Sequence, residues 1–497
     1  MKSLEAHLPA LQVVVPLLGA ILSAFLRRGR SAWALALVVS WIMPVIAVML
    51  TLKVLANGPI SYHLGGWAPP FGIEYRIDLL SAFVLVLVSG VGAAIMPFAR
   101  VSVAHEIEGD KQVWYYTMYL LCLTGLLGIT ITGDAFNIFV FLEVSALSTY
   151  VLIALGKDRR ALLAAYQYLI VGTIGATFYV IGVGLIYLVT GSLNIVDIAA
   201  RLSDPAIYQA RPVLAALAFI TVGISLKLAL FPLHVWLPGA YTHAPSMATA
   251  FLAGTATKVA IYVMIRYFFS VFGVAISFKT LPISEVLVVL SVAAMFIASL
   301  IAVFEKNLNR MLAYSSLGQV GYITLGIALA NVDGLTGAIV HLLNHAVMKT
   351  ALFMVMGALV YRLAATDISS IGGIGRRMPL TMLVFVIGGM ALIGVPGTAG
   401  FVSKWYLAVG AYERGWWPLV FLILASSLIA VVYVGRVVEA AWFREPSEAV
   451  AKAQDPPLSM LVPMLVLAIA TIYLGIDTEA SAGLARKAAE ALIGGMK

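Results

Sequence analysis

Gly334-Leu-Thr-Gly-Ala-Ile-Val-His-Leu-Leu-Asn-His-Ala-Val-Met-Lys-Thr-Ala-Leu-Phe-Met-Val-Met-Gly-Ala-Leu-Val-Tyr-Arg-Leu363 is an almost unbroken apolar run. At about 1.5 Å per residue, a helix of this length exceeds the roughly 30 Å hydrocarbon core of a bilayer. Apart from Arg362 near its end, the run carries His341, His345 and Lys349. These are four residues apart and share one helix face, with Asn344 beside them. A stripe of two imidazoles and an amine can hold water and pass a proton along. The alternative is that the histidines are hydrogen-bonded packing residues.

Similar runs fill the chain, which has 497 residues, 62% of them hydrophobic and 11% charged, and a mean hydropathy of +1.02. A soluble domain carries about a quarter charged residues. Lipid admits helices or closed barrels, because backbone groups must be satisfied within the protein. The runs are about 20 residues or longer and lack the alternation of barrel strands, so the fold class is all-α and polytopic. Hydropathy places about fourteen spans. They lie near 8–26, 32–55, 78–100, 113–132, 134–155, 161–190, 209–231, 244–270, 284–304, 308–330, 334–363, 379–412, 417–443 and 457–475. The first is read as retained, since neither a basic n-region nor a small-residue cleavage site precedes it.

The formal charge is +8 and the pI about 9.4. The basic residues cluster in short loops without interleaved aromatics, which fits the positive-inside rule and not nucleic-acid binding. With the N-terminus outside, sixteen of the 31 Lys and Arg fall at inner ends, Arg27, Arg28, Arg30, Arg100, Lys111 and Lys157 among them. Both termini are therefore expected on the outer side of a bacterial or archaeal inner (plasma) membrane. The lone Cys122 leaves no disulfide and no thiolate set for a metal cluster. No phosphate-cradling Gly loop is present, nor any haem, flavin or nicotinamide signature, so no cofactor or metal is expected. Ser481 to Leu492 is mildly amphipathic and is read as lying on the membrane surface, against a partner, or as a solvated tail.

Other ionisable groups lie where charge is expensive: Glu143 in span five, Lys227 in span seven, Lys258 in span eight and Lys404 in span twelve. Each costs about 2.5–3.5 kcal/mol on insertion scales, or about 10–14 kcal/mol together before pairing. That equals a typical net folding stability, which argues against a purely structural role for all four. Taken singly, a lysine near a helix end can snorkel, and a Glu–Lys pair can simply fasten two helices. Pro232 and Pro396 interrupt the spans bearing Lys227 and Lys404, and Gly394-Val-Pro-Gly-Thr-Ala-Gly400 favours local unwinding. Broken helices are tolerated at membrane depth where they line a wet cavity; an ordinary proline kink is the alternative.

Leu230-Phe-Pro-Leu-His-Val-Trp-Leu-Pro-Gly-Ala-Tyr-Thr-His-Ala-Pro245 resembles the signature of the antiporter-like proton-translocating family. That family comprises large membrane subunits of respiratory complex I, of membrane-bound hydrogenases and of multisubunit Mrp-type cation/proton antiporters. Asn309-Arg-Met-Leu-Ala-Tyr-Ser-Ser-Leu-Gly-Gln-Val-Gly-Tyr322, His341 to Lys349, and Thr132-Gly-Asp-Ala-Phe-Asn-Ile-Phe-Val-Phe-Leu-Glu143 are similar to three further family blocks. The resemblance covers roughly residues 75–445. It implies fourteen helices with two inverted five-helix repeats and broken helices seven and twelve. Within a single transmembrane domain, 1–497, it divides the chain into 1–103, a first repeat 104–270, a second repeat 282–445 and a last helix with tail, 446–497.

It also implies roles: Glu143 as charge partner of Lys227, Lys258 as relay lysine, span eleven as central connection and Lys404 as terminal lysine. His234 and Gln319 stand as access positions. Lys404 and Gln319 lean towards the D-type membrane component of an Mrp-type antiporter, since some complex I relatives have Glu and His there. The expected function is proton translocation within a multisubunit Na⁺/H⁺ antiporter, alongside other membrane subunits and with no chemistry of its own. The alternatives are a proton-pumping subunit of a complex I-like or hydrogenase redox complex, and a non-conducting scaffold.

Overall fold

The computed structural model describes residues 5–364 and 366–494; the outermost limits of the expected domain, 1 and 497, lie outside them. The helices are α1 (Leu8–Ala24), α2 (Gly29–Asn57), α3 (Leu79–Glu106), α4 (Gln112–Ile131), α5 (Ala135–Ala154) and α6 (Arg159–Thr190). Then come α7a (Arg211–Leu228) and α7b (Trp236–His243), and α8a (Ser246–Gly254) and α8b (Ala256–Ile265), which runs on through a π-turn to Val271. The second half holds α9 (Ile283–Phe304, with an internal π-turn), α10 (Leu308–Leu329), α11 (Val332–Leu363), α12a (Pro379–Ile393) and α12b (Ala399–Glu413). It closes with α13 (Trp417–Phe443), α14 (Leu458–Ile476) and α15 (Leu484–Gly494). Among the described residues twelve helices are long and apolar enough to cross a membrane, and α1 and α12a are shorter apolar helices.

Asx side chains fix where several spans begin. Asp78 accepts from Ser81 N, Asp134 from Asn137 N, Asn307 from Arg310 N and Asn331 from Gly334 N, each at 2.7–3.1 Å. Each satisfies a backbone donor that the first helical turn leaves orphaned.

Burial sorts the helices into a centre and a rim. α8 and α10 are 94% buried along their most apolar stretch, whereas α2, α6, α9, α13 and α14 are 39% buried and turn apolar side chains outward. On the rim helix α2, for example, Val38, Trp41, Val45 and Leu52 are exposed. Such faces suit lipid or neighbouring transmembrane helices.

Three helices break. Left-handed Ala229 (φ 60°) ends α7a, and the chain turns through Pro232 before resuming as α7b. Span seven thus extends past its expected end at 231 into a second, eight-residue half. Gly394 (φ 88°) ends α12a ahead of Pro396, as the Gly/Pro pattern predicts. The third break, at Thr255 (φ −126°, ψ −58°), was not expected, because span eight carries no internal proline there.

α6 and α7a meet backbone to backbone. A Cβ on Gly223 would lie 2.6 Å from Gly175 O, and one on Gly175 would lie 3.0 Å from Gly223 O. At the far end, α15 packs on α11 and α3 of its own chain, burying Ala485, Ala488 and Ala489. Arg486 Nη1 lies 3.2 Å from Asp333 Oδ1 at the start of α11. The amphipathic tail therefore finds its apolar surface within this molecule. A two-stranded hairpin, Ile60–His63 against Glu74–Ile77, also escaped the sequence reading.

Candidate functional site

Lys227, Lys258, His341, His345, Lys349 and Lys404 are buried, whereas Glu143 and His234 are half-buried. On α7a, Lys227 Nζ is 3.1 Å from Glu143 Oε1 of α5, with side chains 8% and 24% exposed. Gly175 of α6 lies against the Lys227 stem. A cavity of about 20 Å³ lies between Lys227, Ser145, Thr149 and the α8b residues Ala256, Val259 and Ala260. That is room for about one water molecule.

The other three lysines meet neutral acceptors among the described contacts. Lys258 on α8b donates to Ala253 O, a carbonyl beside the Thr255 break, and lies 3.3 Å from Thr257 Oγ1. Lys349 on α11 donates to Leu312 O (2.8 Å) and to Ser315 Oγ, both on α10. Lys404 on α12b reaches back across the break to Leu392 O and Ile393 O at 2.9 Å each, and to Ser427 Oγ at 2.8 Å. The broken turns thus present freed carbonyls, with their negative dipole ends, to ammonium groups. Gly394 has no side chain because Lys404 lies there: a Cβ would meet Lys404 Cδ at 2.9 Å.

Between these amines lie the α11 imidazoles. The rings of His341 and His345 stack 6.0 Å apart at 14°. His341 Nδ1 is 2.7 Å from Ser403 Oγ and its Nε2 is 3.0 Å from Gln319 Oε1. Gln319, expected as an access position, is buried and partners the central imidazole. His345 is fully buried and neither ring nitrogen is hydrogen-bonded. From His341 the polar line continues to Tyr322, whose ring is 5.9 Å away. The Tyr322 hydroxyl lies 2.6 Å from Ser426 Oγ and 3.2 Å from Ser427 Oγ, and Lys404 Nζ sits 4.5 Å above the ring. His234 lies apart from this line, half-buried in the α7 break and stacked on Phe231. Pro232 and Pro396 occupy exposed positions in the two breaks.

Sequence reading missed a second polar cluster. Arg266, near the end of span eight, is buried and ion-paired with Asp78, and its Nε lies 3.0 Å from the Tyr262 hydroxyl. Tyr262 donates to Thr130 O at 2.8 Å. The available signal was spacing: Lys258, Tyr262 and Arg266 recur every four residues on α8b.

These features define a polytopic helical membrane protein in which three broken helices and the continuous α11 bring buried lysines and histidines together with one carboxylate, Glu143. The model of the NADH:quinone oxidoreductase/Mrp antiporter transmembrane family matches residues 132–430, and the chain belongs to that family. It is 40% identical over 491 residues to the N-type subunit of the NADH-quinone oxidoreductase of Desulforudis audaxviator, covering 96% of this chain and 97% of the relative. It is 31% identical over 438 residues to the D-type subunit of the Na(+)/H(+) antiporter of Alkalihalophilus pseudofirmus, covering 88% and 87%. Its fold superposes on a chain of the Mrp complex from Dietzia sp. DQ12-45-1b with a TM-score of 0.90 and 28% identity, covering 99% and 98%.

Proposed function

We propose that this chain is a proton-translocating subunit of a multisubunit monovalent cation/proton antiporter, with Na⁺ as the exchanged cation. The carrying observation is the asymmetry of the line: among the described residues, of these four lysines only Lys227 has a carboxylate partner, while Lys258, Lys349 and Lys404 rest on neutral oxygens. In this reading Glu143 is the switch. While its carboxylate sits beside Lys227 the ammonium form is favoured, and withdrawing it releases the proton. The proton then passes through water to Lys258, along the α11 stripe of Lys349, His345 and His341, and on to Lys404. Residues 104–270 and 282–445 act as two inverted five-helix units joined through α11, with the N-terminus outside.

A second reading, a proton-pumping module of a redox-driven complex, draws support from the 40% identity to a chain named as an oxidoreductase subunit. The discriminating experiment is ΔpH-driven Na⁺/H⁺ exchange in antiporter-deficient membrane vesicles. The whole operon is expressed with Lys227 intact or changed to Ala. Exchange that Lys227→Ala abolishes in an assembled complex supports the antiporter reading. No exchange from an intact, assembled complex refutes it and favours the redox module.

A further inference from the structure

A cavity of about 390 Å³ opens on the basic face of the protein, where α2 and α4 begin and α3 and α11 end. Arg30, Trp33, Arg100, His105, Gln112 and Tyr361 line it, and no Asp or Glu does. The described ion pairs join neither Arg30 nor Arg100 to a carboxylate. The nearest acids in sequence are engaged elsewhere. Glu106 accepts from Ser246 N (2.9 Å), Ser246 Oγ (3.0 Å) and Ser102 Oγ (2.7 Å), and Glu108 holds Lys111 at 2.6 Å.

Two further features favour an anion. α2 starts at the cavity with Gly29, and its N-cap position, Arg28, makes no side-chain cap bond; Ser31 N and Ala32 N bond to Arg28 O, which leaves the N–H groups of Gly29 and Arg30 to donate to a ligand. Arg100 lies 5.2 Å over the Trp33 ring, which restrains the guanidinium at the cavity wall. Trp33 is itself pinned by its indole N–H to Met96 O at 2.9 Å. Beyond the cavity, the exposed apolar face of α2 (Val38, Trp41, Val45) descends into the bilayer depth. An anion with hydrocarbon tails matches both parts, and a soluble anion matches only the first.

We infer that this cavity binds the phosphate headgroup of an anionic phospholipid from the leaflet on the basic face, held by Arg30 and Arg100, with its acyl chains along α2. Basic pockets between transmembrane helices on the cytoplasmic side are a recurrent form of such sites. The inference stands apart from the proton path and does not depend on it.

The test uses the full chain in detergent with added dioleoyl-phosphatidylglycerol, dioleoyl-phosphatidylcholine or inorganic phosphate. Native mass spectrometry reads bound lipid and thermal melting reads stability. Retention of phosphatidylglycerol and stabilisation by it alone are expected. Arg30→Gln with Arg100→Gln should weaken binding about 25-fold, roughly fivefold per arginine removed. Arg201→Gln, an exposed arginine paired with Asp197 away from the cavity, should leave binding unchanged. Should the double glutamine variant fail to fold, Arg30→Lys with Arg100→Lys keeps the charge while losing the planar fork, and an intermediate loss is expected. Equal stabilisation by phosphatidylcholine, the same effect from inorganic phosphate alone, or unchanged lipid binding in the lysine and glutamine variants would each overturn the inference.

Discussion

Replacing Glu143 by Gln removes one charge and little volume, so it isolates the electrostatic part of the Glu143–Lys227 contact. At the observed 3.1 Å, opposite unit charges attract by about 5 kcal/mol at an effective dielectric of 20. That corresponds to roughly a 4,000-fold change in proton occupancy at Lys227. Glu143→Asp withdraws the carboxylate by about one C–C bond; near 4.5 Å the attraction is still about 4 kcal/mol. If this pair sets the loading of the line, exchange rates should fall in the order wild type, Glu143→Asp, Glu143→Gln, the last by at least about tenfold. The assay is ΔpH-driven exchange in vesicles, with assembly checked by co-purification of the partner subunits. A Lys227→Met variant and the double variant complete a cycle. Because both residues serve one event, the double variant should be no slower than the slower single. Wild-type exchange by assembled Glu143→Gln complexes would refute the switch, and so would strictly additive losses.

Three other changes probe the rest of the site. Gly394→Ala combines a left-handed backbone with a collision against the Lys404 side chain, so exchange should fall sharply even though Lys404 is unaltered; a silent variant would show that the amine's seat does not matter. Gln319→Leu leaves His341 Nε2 without its partner, costing about 1–3 kcal/mol, read as a lower melting temperature together with slower exchange. Unchanged melting would mean that another group serves His341. Overpacking α15 with Ala488→Leu should destabilise the protein by about 1–3 kcal/mol and lower its melting temperature, whereas a free tail would tolerate the change.

The spans were legible because lipid forces each helix to satisfy its own backbone, so apolar length alone marks them. Expected and observed ends agree within a few residues for α4, α5, α10 and α11. The Gly/Pro text of span twelve announced its break, since proline removes a ladder donor and Gly394 admits the left-handed turn. The Thr255 break left no such mark. It arises where α8 packs tightly on α11, with the Cβ position of Gly254 only 2.2 Å from Thr350 Oγ1, and where Lys258 takes up a freed carbonyl. The contact with Thr350 is a tertiary fact that no window of sequence around Thr255 carries. The ionisable residues stood out singly because charge is rare at membrane depth. Most of their partners did not, since Ser403, Ser427 and Tyr322 are ordinary helix residues until the packing sets them beside His341 and Lys404; Gln319 stood out only through the family resemblance.

The glycine contact between α6 and α7a bears on which half of the switch moves. With Gly175 and Gly223 letting two backbones touch, there is no side-chain layer between the helices to repack, and close-packed interiors do not yield by small degrees. Lys227, one turn from Gly223, is therefore mounted on a stiff support. Glu143 belongs to α5, whose Phe136, Val140 and Leu147 face outward, and its carboxylate remains partly accessible. In the proposed switch, motion of the pair would fall to the acid, carried with α4 because Gly125 meets Phe141 O and Ser145 N of α5, and a neighbour resting on α5 would drive it. In mechanical terms the lysine is the anvil, and a displacement at the protein's flank can reach its centre without α7a moving. Spin labels flanking Glu143 should report a change of distance to α6 during turnover, while labels on α6 and α7a keep theirs.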